Sequence, residues 1–222
     1  MTASDFVLAS ASPRRRRLIG WLGLDVRAMA TDTVEDISQP LAPPELAASL
    51  AAQKAEAARA SGAGGTILAF DTIVVHAGAV LGKPTDADDA RRMLRGLSGG
   101  LHEVITGVAI HADGVASPEA FPVTTSVRMR TLDDASIEKW VSGGEALGCA
   151  GAYNIEHHLA SVDDDECFQN VAGLPLCHVY RALASGRVRA PEGLVRPVET
   201  CDGALGRRCL LGPAVCDGAD AM

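Results

Sequence analysis

Phe6-Val7-Leu8-Ala9-Ser10-Ala11-Ser12-Pro13-Arg14-Arg15-Arg16-Arg17 carries the chain from an apolar strand into a helix N-terminus, and its reading decides an α/β fold. Residues 6–9 form a short apolar run, Ser10 and Ser12 place two hydroxyls at the turn, and Pro13 suits the first helical position. Leu18, Ile19 and Leu22 recur as an apolar stripe, so a helix is expected over residues 13–22, ending near Gly23. The free N–H groups and positive dipole end at such a turn favour an anion. Arg14 and Arg15 would be unfavourable in a first turn unless a bound polyphosphate reversed the sign. Taken alone, the arginine run reads rather as a solvated basic face.

Working outward, residues 26–30 read as a second short strand, and Pro43-Pro44 opens an Ala-rich helix over residues 45–60. Thr66-Ile67-Leu68-Ala69-Phe70 is a buried-type strand, and Asp71-Thr72 is expected where the chain leaves the sheet. Residues 73–76 and 80–81 flank Ala77-Gly78-Ala79, the pattern of a hairpin. A helix over residues 86–97 follows, then strands over 104–111 and 124–131. Asp133 caps a helix bearing Ile137, Trp140 and Val141, and Gly173-Leu174-Pro175 precedes a last helix over 176–184. From Ala190 onward Pro, Gly, Arg and Cys are scattered without period, so residues 190–222 are expected as a poorly ordered tail behind a domain spanning 1–189.

The 222 residues are 47% hydrophobic but only 4% aromatic, which predicts a core of Ala, Val and Leu. No apolar run approaches the roughly 18 residues that span a bilayer, and neither a membrane segment nor a secretory signal is expected. A net charge of −8 argues against sequence-wide attraction to nucleic acid, so a local basic site points to a small anionic ligand. The six cysteines form no C-x-x-C and no zinc-type spacing, which predicts reduced thiols in a cytoplasm, with Cys149 and Cys177 in core packing.

Carboxylates where strands end have the greatest chemical reach in an α/β protein. Asp71 there suits metal binding or proton abstraction from water, and equally an ordinary turn aspartate. Lys54, Lys83 and Glu35 read singly as surface residues. Phosphoryl chemistry would need them together: cations to neutralise a polyphosphate, and carboxylates to hold a divalent metal. The chain has no Walker-type loop, no G-x-G-x-x-G after a strand and no G-x-S-x-G elbow. His157-His158 and the acidic run at 163–166 read as a polar loop, because adjacent residues of an extended chain face opposite ways.

One ordered set of motifs runs through residues 6–183: Ser10-Ala11-Ser12-Pro13-Arg14-Arg15, Glu35, Lys54-Ala55, Asp71-Thr72-Ile73-Val74, Gly82-Lys83-Pro84, Leu97-Ser98-Gly99, His102 with Thr106-Gly107, Gly151-Ala152-Tyr153 and Val171-Ala172-Gly173-Leu174-Pro175. In these the chain resembles the Maf (septum formation inhibitor) family of nucleoside triphosphate pyrophosphatases. The resemblance implies an α/β fold with an elongated mixed β-sheet flanked by helices, two lobes and a central cleft (Maf/ITPase-like), commonly as a homodimer. It implies hydrolysis of a nucleoside triphosphate to the monophosphate and diphosphate with a divalent cation, Mg or Mn. Asp71 would be the general base and, with Glu35, a metal ligand. Ser10, Ser12, Arg14, Arg15, Lys54 and Lys83 would bind phosphate, and Arg16 and Arg17 would be helix-surface charges or dimer contacts.

Arg14, Thr72 and Glu156 stand at the positions that separate the family's branches. The first two match the dTTP/UTP branch, whereas Glu156 replaces a glutamine whose amide both donates and accepts; an ionised Glu only accepts. That exchange fits water-mediated binding, a base offering N–H donors such as cytosine or guanine, or weaker binding. The expected substrates are dTTP and UTP or modified pyrimidine nucleotides. The alternatives are a nucleotide-binding regulator of division or septum formation with little turnover, and a house-cleaning pyrophosphatase for other non-standard nucleotides.

Overall fold

The computed structural model describes residues 6–31, 33, 35–186 and 191–218. Seven strands form one mixed sheet in the order β2-β1-β3-β5-β6-β7, with β4 joined to β3. They are β1 (Phe6–Ala9), β2 (Val26–Ala28), β3 (Thr66–His76), β4 (Ala79–Leu81), β5 (Leu101–His111), β6 (Glu119–Met129) and β7 (Ala160–Ser161). β1 is buried throughout because it lies between β2 and β3, parallel to both.

β3, β5 and β6 each run for 11 residues and pair antiparallel, which makes the sheet long. Alternation along β3 sorts its side chains onto two faces. Ile67, Ala69, Ile73 and Val75 pack beneath α2 (Pro43–Ala60), whose Leu46, Leu50, Ala51, Ala55 and Ala58 face the sheet. Leu68, Phe70 and Val74 lie on the opposite face. There they meet α1 (Pro13–Ile19), α3 (Ala87–Leu97) and α4 (Asp134–Ser142). Asp86 and Asp133 accept from the amides of Asp89 and Ser136 at 2.8 Å, so local cap chemistry starts α3 and α4, the cap at Asp133 being the expected one. On the same side lie α5 (Phe168–Val171) and α6 (Leu176–Ala184).

Two expectations are corrected. The strand read as ending at Phe70 continues to His76, because β5 pairs with it through Asp71 and Thr72. Asp71 therefore lies in mid-strand. Its opening to solvent comes from the other edge of β3, where β1 pairs only with residues 66–69 and β4 only with 74–76. Among the described residues no strand covers the edge at 70–73, and this gap divides a β1 lobe from a β4 lobe.

The second correction concerns the tail. Its residues 191–218 include α7 (Val198–Leu205) and α8 (Leu211–Cys216), with Cys201 and Val215 buried. Gly212 of α8 is so near α6 that a Cβ there would lie 3.2 Å from Cys177 Sγ. Each helix is too short to show a period in the sequence, yet each covers apolar surface. Residues 190 and 219–222 of the expected tail lie outside the described residues. Among those described, no helix is long and apolar enough to cross a membrane.

Candidate active site

The gap in β3 opens into a cleft of about 600 Å³ lined by Ser10, Ser12, Arg14, Arg15, Glu35, Lys54, Asp71, Thr72 and Lys83, among others. β1 ends at Ala9 and delivers the Ser10–Arg15 turn to one side of the gap; β4 ends at Leu81 and delivers Lys83 to the other. Lys54 comes from α2, on the helix face pressed to the sheet. Ser10 Oγ accepts the Ser12 amide at 3.2 Å, and Ser12 Oγ accepts the Arg15 amide at 3.4 Å, so both serines shape the turn.

On the α2 face of β3, Lys54 Nζ donates to Glu35 Oε1 at 2.8 Å and to Asp71 Oδ1. Lys83 Nζ closes the array on Glu35, at 2.7 Å from Oε1 and 2.9 Å from Oε2. Lys54 is only 8% exposed; its charge is tolerable there because two carboxylates meet it. Burial works to raise the Glu35 carboxyl, but the Lys54 and Lys83 ammoniums outweigh it and hold that carboxyl at about 2.

The sign of the resulting pH dependence is fixed by that depression. Glu35 contributes stability fully above its ordinary value of 4.5 and loses it as pH falls through about 2. Glu35→Gln is expected to cost on the order of 1–2 kcal/mol at pH 7, and the difference from wild type should narrow between pH 4.5 and 3. Denaturant unfolding across that range checks it. A difference that stays constant would mean that Glu35 is not held by the two lysines.

On the opposite face of β3 the cations are arranged differently. Arg15 Nε donates to Gly173 O and its Nη2 to Thr72 Oγ1, each at 2.9 Å, while the guanidinium lies 5.9 Å from the Phe70 ring. Gly173 has φ +98°, and a Cβ there would stand 3.4 Å from Arg15 Nε, so glycine suits both backbone and neighbour. Burial lowers the Arg15 guanidinium from its ordinary value, with Asp71 and Glu35 opposing that shift. Arg14 sets both terminal nitrogens 3.5 Å from Cys149 Sγ. Its Nε is buried with no hydrogen-bond partner among the described residues.

With this geometry in view, a sequence profile described as Maf-like protein matches residues 5–186. The chain belongs to the Maf-like family. A dTTP/UTP pyrophosphatase of Syntrophomonas wolfei is 44% identical over 180 residues, covering 80% of this chain and 95% of its own. Proteins of the same description from Anaeromyxobacter dehalogenans and Geobacter sulfurreducens are 43% and 42% identical, each over 82% of this chain, covering 93% and 97% of their own lengths. The solved Ham1 protein of Staphylococcus aureus covers 56% of this chain and 71% of its own at 14% identity and a TM-score of 0.34, too distant to bear on the argument.

Within this Maf-like site, Ser10, Ser12, Arg14, Arg15, Glu35, Lys54, Asp71, Thr72 and Lys83 come together around one cleft. Glu156 does not join them. Its carboxylate pairs with Arg17, so the nearby lining falls to Tyr153 and Asn154. Tyr153 OH is hydrogen-bonded to His102 Nε2 at 2.7 Å. Burial and His76 hold that imidazole at about 4, hence neutral at pH 7, and burial pushes the Tyr153 phenol up. Sequence reasoning gave no role to Tyr153, Asn154 or Gly173, although all but Asn154 lie in the motifs that carry the resemblance. Cys149, expected in the core, is buried as expected and also accepts from Arg14.

Proposed function

We propose that this Maf-like protein is a nucleoside triphosphate pyrophosphatase, cleaving a (d)NTP to the monophosphate and diphosphate, with dTTP, UTP or modified pyrimidine nucleotides as substrates. The observation that carries this reading is the gap in β3, where two carboxylates share one buried lysine beside Lys83, Arg14 and Arg15. Four cations against two carboxylates leave the cleft suited to a polyanion. Asp71, on a rigid central strand, takes the proton of the attacking water, and Lys54 orients its carboxylate. Lys83, Arg14 and the Ser10–Arg15 turn grip phosphate oxygens, and the dTTP/UTP relatives supply the base preference.

Glu35 and Asp71 also fit a hard divalent cation, Mg or Mn. Both accept from the same Lys54 ammonium, so the two carboxylates face one cationic position. An ion held by these two carboxylates would be completed by phosphate oxygens and water. When bound, it would polarise the phosphoryl oxygens and neutralise the developing charge.

The same proposal includes a homodimer, which rests on family membership, and no nucleic-acid partner, which the net charge of −8 supports. Six free thiols fit a reducing cytoplasm. The test is diphosphate release from dTTP, UTP, CTP, GTP and ATP with Mg or Mn. Release from dTTP and UTP above the others is expected. No release from any, with tight binding of one, would replace this reading with that of a regulator.

A further inference from the structure

Thr106 of β5 lies directly opposite Thr72 of β3, on the sheet face turned away from α2. Thr72 Oγ1 is 2.9 Å from Arg15 Nη2 and 3.0 Å from Thr106 Oγ1, and Thr106 Oγ1 is 3.0 Å from the backbone oxygen of Asn170. Four polar groups thus stand in a row with three gaps, and each gap needs one proton. A guanidinium only donates and a carbonyl only accepts. The single Thr106 proton must therefore go to Asn170 O, and the gap between the hydroxyls can be filled only by the Thr72 proton. The reverse assignment leaves two oxygens 3.0 Å apart with no proton between them.

The far end of the row is rigid. Asn170 is fully buried, and its Nδ2 lies 3.1 Å from Val104 O, 2.9 Å from Val123 O and 3.1 Å from Thr125 Oγ1. Its backbone oxygen also accepts the Gly173 amide at 2.9 Å, so both lone pairs are engaged. Thr72 consequently donates inward, accepts from Arg15 and keeps one lone pair. Thr72 lines the cleft.

We infer that Thr106, anchored on the Asn170 carbonyl, is a positioning residue that makes Thr72 an acceptor and never a donor toward the cleft, so that Thr72 selects a base offering a ring N3–H. This inference rests on the pyrophosphatase reading. Phosphate oxygens only accept, and find no proton on Thr72; Arg14 and the Ser10–Arg15 turn grip the triphosphate on this side, while Asp71 and the lysines meet it from the other face of β3. A base reaching the Thr72 face meets a lone pair. The ring N3–H of uracil or thymine satisfies it, whereas N3 of cytosine brings a second lone pair.

The test compares kcat/KM for UTP, CTP and N3-methyl-UTP in wild type, Thr106→Val and Thr106→Ser. Wild type should prefer UTP to either analogue by about tenfold or more. Thr106→Val frees the Thr72 proton to point outward and should cut the UTP-to-CTP ratio by about tenfold, through KM rather than kcat. Thr106→Ser keeps the hydroxyl and should retain the wild-type ratio. An unchanged ratio in Thr106→Val, or equal loss in Thr106→Ser, would overturn the inference. Should Thr106→Val fail to fold, equal wild-type kcat/KM for UTP and N3-methyl-UTP overturns it alone. Wild type that hydrolyses no triphosphate overturns the pyrophosphatase reading instead. Calorimetric affinities for UTP and N3-methyl-UTP in wild type, Thr106→Val and Thr106→Ser then still decide the role of Thr106.

Discussion

Replacing Asp71 with asparagine is expected to lower kcat for UTP by roughly 10²–10⁴-fold, the usual span for loss of a general base, in a protein that still folds. The amide has the size of the carboxylate but takes no proton from water, and it brings no charge to a divalent cation. Folding should survive because β5 pairs with β3 along residues 67–75 through the backbone, independent of the Asp71 side chain. Lys54 retains Glu35 at 2.8 Å, so its buried ammonium is not left alone. KM should move less than kcat, since Lys83, Arg14 and the Ser10–Arg15 turn are untouched. Diphosphate release at saturating UTP, beside a thermal melt by circular dichroism, checks both halves. Turnover near the wild-type level would remove Asp71 from the chemistry.

What the sequence disclosed about this site follows the range of the physics involved. Asp133 was legible as a helix cap because a cap is made by residues three apart. Asp71 was legible as a candidate but was misplaced at a strand end, because a polar pair after an apolar run looks like an exit from the sheet. What holds it in mid-strand is pairing with Gly107, 36 positions further on, which no local pattern encodes. Lys54 looked like one surface lysine on an alanine helix. The alanines are the reason it is not: their small side chains let α2 lie against the sheet and bury the ammonium between Glu35 and Asp71. Glu156 followed its alignment with a base-reading position, but Arg17, one turn beyond Pro13 on α1, reaches it first. The arginine run thereby divides by function: Arg14 and Arg15 line the cleft, and Arg17 pairs outside it.

The helix that carries Lys54 depends on one glycine, and Gly107→Ala is the substitution expected to disturb both stability and activity. Gly107 faces α2 from β5, directly opposite Asp71. A Cβ at Gly107 would stand 1.9 Å from Ala47 O, 2.3 Å from Ala47 C and 2.8 Å from Ala48 N. These are backbone atoms inside a helix, so no rotamer change relieves the overlap, and α2 must withdraw by roughly 1 Å or more. The overpacking should cost on the order of 3 kcal/mol and lower Tm by roughly 6–12 °C for a chain of this size. Lys54 lies about two helical turns beyond Ala47 on the same face, so the withdrawal also draws its ammonium away from Asp71. A displacement of that size in a positioning group can lower turnover by about 10²-fold. Gly96→Ala supplies the control: a Cβ there meets nothing within 4 Å, and Gly96 lies within α3, where alanine is the better helix former. That control should keep wild-type kcat and a Tm equal to or slightly above wild type. Gly107→Ala with wild-type Tm and kcat would show that α2 does not rest on Gly107, and that the meeting of Lys54 with Asp71 is set elsewhere.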